Sequence, residues 1–191
     1  MSRVREGMPV PRADINGLDI SFLDEKLFSL VEKYCHSGKI PLKEIDDETA
    51  LKLEFLKLAV PLKGINDSLA WIARQFGSDM EIPYIVRYYF KFGRSWRKAI
   101  EEYFRAIGED NPEEFIEIFK EVVGKAKNLI VCGEDIVDIA MKHNKEPGSL
   151  ISELKGSGLI SPTVGCGGIG RTKAPLYEIN RFFAILLKIE G

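Results

Sequence analysis

Two short runs that alternate in the manner of strands, residues 159–164 ("LISPTV") and 174–180 ("APLYEIN"), enclose a stretch with glycine at 165, 167, 168 and 170. Gly165, Gly167 and Gly170 have the spacing of a dinucleotide-binding turn. Such a turn needs a helix after its last glycine, because the pyrophosphate rests on the helix N-terminus and the third glycine lets helix and strand pack closely. Here Pro175 closes "RTKAP" and the chain then alternates like a strand. No Lys-Ser or Lys-Thr pair follows the glycines to make a P-loop. The arrangement that fits is a β-hairpin with a long glycine-rich tip carrying Arg171 and Lys173, and no cofactor is expected.

What precedes the hairpin reads as helical up to about residue 127. "SFLDEKLFSLVEKYC" places Phe22, Leu23, Leu27, Leu30, Val31 and Tyr34 at helical spacing behind Ser21, a suitable N-cap. "DDETALKLEFLKLAV" puts Leu51, Phe55, Leu58 and Ala59 on one side, closed by Pro61. "NDSLAWIARQFG" reads as a short helix stopped at Gly77, "EIPYIVRYYFKFG" as a helix entered near Pro83, and "SWRKAIEEYFRAIG" as a third capped by Ser95. "NPEEFIEIFKEVVGKAK" follows, with Asn111 as N-cap and Pro112 at the first helical position. After it come "NLIVC", a short β-like run, then "GEDIVDIAMKHN" with Ile136, Ile139 and Ala140 inward, and "EPGSLISELKGSG" with Leu150, Ile151 and Leu154 inward.

The order helix, strand, helix, helix, strand, loop, strand over about the last 80 residues resembles the winged helix-turn-helix superfamily. The Ile139-Ala140 step is similar to the place where the first helix packs under the second. "LKGSGLISPTV" is similar to the phrase leading into the wing, with Leu154, Gly158, Leu159 and Ile160, and "GIGRTKAPLYEIN" is similar to a wing with Tyr177 and Ile179 in its second strand. The resemblance implies a mainly α protein: a helical N-terminal domain over 1–110, then a winged-helix domain with a small β-hairpin over 111–191. It departs from the superfamily pattern in the turn "NKEPG", where Asn144 stands at the usual glycine place. It also implies DNA contacts from Lys145, Ser149, Ser152 and Lys155 in a major groove and from Arg171 and Lys173 on the wing. Residues 127–191 hold eight Lys/Arg against seven Asp/Glu, a weak footprint for phosphate binding.

The strongest local charge signal lies in "VRYYFKFGRSWRK", residues 86–98. It packs Arg87, Lys91, Arg94, Arg97 and Lys98 among Tyr88, Tyr89, Phe90, Phe92 and Trp96 without one acidic residue. Such a mixture can grip phosphates and stack on bases; helical spacing also suits the aromatics to a core with the cationic stems lying over it. Ile72-Ala73 echoes Ile139-Ala140, so the N-terminal half is open to a second helix-turn-helix reading, with Pro83 starting its second helix.

Catalysis is not expected. His36 and His143 are the two histidines, the serines lack an adjacent base, and the carboxylate runs read as helix starts. The three cysteines form no C-x-x-C pair, so neither a disulfide framework nor a metal site is expected. No run of about 18 apolar residues occurs, and no membrane contact is expected; a cytoplasmic protein fits. Abundant Glu and Lys beside a single glutamine, Gln75, fit a protein from a hot environment. The closing "FFAILLKI" is too apolar to be free; it packs back on the N-terminal half or forms a homodimer seam. The functional expectation is a DNA-binding protein, duplex favoured, of transcription regulation or chromosome maintenance. Its alternative is a scaffold that docks protein.

Overall fold

The computed structural model describes residues 24–62, 79–163 and 175–190. Ser21, Phe22, Leu23, Ile72, Ala73, Gly77, Cys166, the wing-tip glycines, Arg171 and Lys173 lie outside them. The described chain is mainly helical, with two small antiparallel sheets.

Helix α1 (Glu25–Tyr34) starts where the Asp24 carboxylate accepts the Lys26 N–H at 2.8 Å, and it buries Leu27 and Val31. Strand β1 (Lys39–Ile40) and a single 3-10 turn (Leu42–Glu44) lead to α2 (Asp47–Leu56), capped by Asp46 through the Thr49 N–H at 2.7 Å. Lys57 then turns left-handed (φ 59°), which breaks the helical phase. The buried residues are therefore Leu53, Leu56, Leu58 and Ala59, while Leu51, assigned inward by spacing, is 52% exposed.

The helical reading of the first half needs a second correction. Strands β2 (Val60–Pro61) and β3 (Met80–Glu81) join β1 in a sheet of order β1-β3-β2. Each strand is two residues long, too short for a period-two pattern to be seen. Ile82 lies beyond β3, and α3 (Tyr84–Lys91) follows directly, entered behind Pro83. Helix α4 (Trp96–Ala106) lies against α3, its N-terminus capped by the Ser95 hydroxyl.

The second half begins with a turn in which the Glu114 N–H donates to the Asn111 carbonyl, so that α5 spans Glu114–Lys125 rather than starting at Pro112. Then come β4 (Ile130–Cys132), α6 (Gly133–Lys142), α7 (Pro147–Ser157), β5 (Ile160–Thr163), β6 (Leu176–Ile179) and α8 (Arg181–Glu190). The strands pair in the order β4-β6-β5, with Ile130 opposite Glu178 and Ile160 opposite Ile179. Pro162 sits on the edge strand β5, where its missing N–H is tolerated.

One hydrophobic cluster runs through both halves. Helix α8 joins them: Phe182, Phe183, Ala184 and Ile185 are all fully buried, with the Phe182 ring 5.6 Å from Phe28 and 5.0 Å from Tyr89. The apolar closing helix thus packs against the chain's own N-terminal half, and that face is used up within one molecule.

Candidate interaction site

Helix α7 is the element on which the sequence places most binding residues. Asn144 takes the left-handed turn (φ 53°), which asparagine tolerates better than most residues, and Pro147 occupies the first helical turn. The helix N-terminus is closed by Glu146, whose carboxylate accepts the N–H of Gly148 at 2.9 Å and of Ser149 at 2.5 Å. Those two bonds hold the Glu146 carboxyl below its usual range. Leu150, Leu154 and Ser157 face inward, and the Ser157 hydroxyl donates to the Leu154 carbonyl at 2.8 Å. Ser149, Ser152 and Lys155 are exposed. Lys145 is not free: its ammonium bonds Glu109 and lies 4.7 Å from the centre of the Phe115 ring.

Between α6 and α7 lies a groove lined by the apolar residues Gly133, Val137, Ile151 and Pro175 together with Glu134 and Asp138. Sequence reasoning missed it. Spacing places Ile151 on the inward face of α7, and it is partly buried against the core, while Glu134 and Asp138 are exposed. A signal was present in Val137 and Ile151, apolar residues in two successive helices.

The cations of residues 86–98 separate into two groups. Arg87 donates from Nε to the Cys35 carbonyl at 2.9 Å and from Nη2 to the His36 carbonyl at 3.2 Å, tying down the end of α1. Arg94 bonds Glu32 at 2.7 Å and Glu25 at 3.1 Å, both on α1. Lys91, Arg97 and Lys98 are exposed, and among the described residues no ion pair holds them. Lys91 stands 5.6 Å from the Tyr88 ring centre and 5.2 Å from that of Phe92, and the Arg97 guanidinium lies 4.8 Å from the Trp96 ring. Of the aromatics, Trp96, Tyr89 and Phe90 are core, while Tyr84 is 51% exposed. Glycine at 156 leaves α7 close to this surface, since an added Cβ there would be 3.3 Å from the Tyr103 hydroxyl, and Tyr103 packs 6.3 Å from Tyr84.

His143, at the end of α6, is held by two carboxylates of α5: Nδ1 lies 2.9 Å from Glu114 and Nε2 3.0 Å from Glu121, which also bonds Lys142 at 2.8 Å. Burial alone would lower the imidazole pKa, but the two carboxylates raise it above the ordinary histidine value. This pairing joins α6 to α5. Among the described residues no group of three His, Cys, Asp or Glu side chains is arranged to hold a metal ion, and no helix is long and apolar enough to cross a membrane.

The sequence profile of a protein family of uncharacterised function matches residues 18–190, and the chain belongs to that family. No curated protein and no solved structure matches it.

Proposed function

We propose that the chain is a protein-docking scaffold, in which residues 111–191 form a winged helix and the groove between α6 and α7 receives an apolar segment bearing Lys or Arg. The observation that carries this reading is the Glu146 carboxylate seated on the α7 N-terminus, with Glu134 and Asp138 among the residues that line the groove. A helix N-terminus is where a duplex phosphate would dock, and here that place is already filled by negative charge. An apolar lining that includes two carboxylates instead complements a basic, amphipathic protein segment. The helix, strand, helix, helix, strand, strand order and the β4-β6-β5 pairing support the winged-helix reading.

The test is an NMR titration of the full chain with a short amphipathic Leu/Lys helical peptide. Amide shifts centred on Val137 and Ile151, reduced in Glu134→Lys/Asp138→Lys, are expected. Absence of any response there removes the reading.

A second reading, nucleic-acid binding, is favoured by Lys91, Arg97 and Lys98 beside exposed Tyr84. It predicts binding of mixed-sequence duplex or single-stranded DNA at about 50 mM salt with a steep salt slope. Charge reversal at Lys91, Arg97 and Lys98 should abolish that binding, while reversal at exposed Lys155 of α7 should leave it in place.

A further inference from the structure

The two carboxylates that line the α6–α7 groove stand one helical turn apart on α6, and both are exposed. Glu134 lies in the first turn, where its charge complements the helix N-terminus. Asp138 has no such reason for its place, and at i,i+4 it repels Glu134. Among the described residues no cation pairs with either, whereas the neighbouring Glu121 bonds Lys142 and Glu109 bonds Lys145. The groove therefore joins partly buried apolar side chains, Val137 and Ile151, to an excess of two negative charges.

The chain itself holds a segment of complementary chemistry. Residues 1–23 lie outside the described residues, and the family profile begins only at residue 18. Residues 3–12, "RVREGMPVPR", carry Arg3, Arg5 and Arg12 against Glu6, so three positive charges less one negative leave an excess of two, equal and opposite to that of the groove. Met8 and Val10 are the apolar residues between the cations, and each precedes a proline, which favours an extended backbone and lowers the cost of ordering it on binding. Reach is no obstacle. Met8 stands 16 positions before Asp24, the first described residue. At up to about 3.3 Å per residue that spans about 50 Å, against a diameter of roughly 40 Å for a compact chain of this length.

We infer that residues 3–12 occupy the α6–α7 groove of their own chain when no partner is bound, with Met8 and Val10 toward Val137 and Ile151 and the arginines toward Glu134 and Asp138. This rests on the docking reading above and makes the site self-regulated. A tether of this length holds the segment at an effective concentration on the order of 1 mM, so a groove that binds the free segment with a Kd of about 0.1 mM is filled in about nine chains of ten. A partner must displace the segment, and its apparent affinity falls by about tenfold.

Amide spectra of the full-length chain and of Arg3→Glu/Arg5→Glu/Arg12→Glu test this. The Val137 and Ile151 amides should differ between the two proteins before any peptide is added, and the triple variant should bind the Leu/Lys peptide at those residues about tenfold more tightly. Arg3→Lys/Arg5→Lys/Arg12→Lys, which keeps the charge, should behave as wild type, and a synthetic peptide of residues 2–13 added to the charge-reversed chain should return Val137 and Ile151 to their wild-type positions. Identical spectra and equal Leu/Lys peptide affinity in wild type and the charge-reversed chain overturn the inference and leave the docking reading standing. No response to the Leu/Lys peptide at Val137 and Ile151 in either protein overturns both. Wild-type positions that change on dilution assign the segment to a second copy, and an effect reproduced by Arg171→Glu/Lys173→Glu but not by the triple variant assigns the groove to those cations; either result overturns the inference.

Discussion

Asn180 donates its side-chain amide to the carbonyl of Lys57 at 3.2 Å, across 123 positions of sequence. The same nitrogen donates to the Gly158 carbonyl at 3.0 Å, and its oxygen accepts the Phe183 N–H at 3.2 Å. The residue is 2% exposed, so every group it serves loses its partner without access to water when the amide is removed. Asn180→Ala should therefore cost about 3 kcal/mol, at roughly 1–3 kcal/mol for each buried group left unpaired. Asn180→Asp should cost more, because an oxygen would then face two carbonyls. Urea unfolding of the two variants checks the order; a loss under about 0.5 kcal/mol in Asn180→Ala, the scale of an ordinary surface change, would show that the amide does not join the halves.

Asn180 also marks what a sequence does and does not reveal. The helices are legible because apolar residues recur every three or four positions, and the caps Ser95 and Asp46 stand where the pattern begins. The second sheet is legible because four-residue strands alternate around glycine. Strands of two residues carry no such pattern, so the first sheet emerges only from pairing. The candidate site divides in the same way. Exposed Ser149, Ser152 and Lys155 follow from helical phase, whereas the internal use of Arg87, Arg94 and Lys145 depends on α1 and Glu109, elements distant in the chain. The groove depends on Val137 and Ile151 meeting across a turn.

Gly158 and Gly93 offer a controlled comparison. Both have positive φ, 86° and 74°, but an added Cβ at Gly158 would lie 2.6 Å from the Pro83 Cβ while at Gly93 nothing stands within 4 Å. Gly93→Ala should cost only the left-handed penalty, about 1–2 kcal/mol. Gly158→Ala should cost clearly more, because the ring of Pro83 is part of the backbone and cannot swing away. Chemical denaturation of both variants decides the point; equal losses would mean that Pro83 and Gly158 are not in close contact.

His143 should make stability depend on pH in a defined direction. To donate to both Glu114 and Glu121 the imidazole must be protonated, and its pKa is raised in the folded chain. A raised folded pKa contributes stability that is fully present below the unfolded value of about 6.5 and is lost as pH rises through the folded value. Wild type should thus exceed His143→Gln in stability at pH 5.5–6, with the gap narrowing above about pH 6.5. Lys142, bonded to Glu121, is present in both proteins and does not confuse the comparison. Parallel unfolding curves with a constant gap would show that His143 stays neutral.

Glu146 separates the two functional readings. Its carboxylate caps α7 through Gly148 and Ser149 and is held below the usual glutamate range, so its contribution is present above the unfolded pKa of about 4.3 and disappears as pH falls through the lower folded value. Glu146→Ala should lower the thermal midpoint by roughly 2–4 °C at neutral pH, the scale of a lost N-cap in a chain of this size, with the difference shrinking below about pH 4. The same substitution uncovers two backbone N–H groups and removes a negative charge from the helix end, which is what a phosphate would require. If α7 were a duplex-reading helix, Glu146→Ala would strengthen DNA binding in fluorescence anisotropy. If the α6–α7 groove docks a basic segment, the variant should leave both DNA affinity and Leu/Lys peptide binding unchanged, because Glu146 is not among the residues that line the groove.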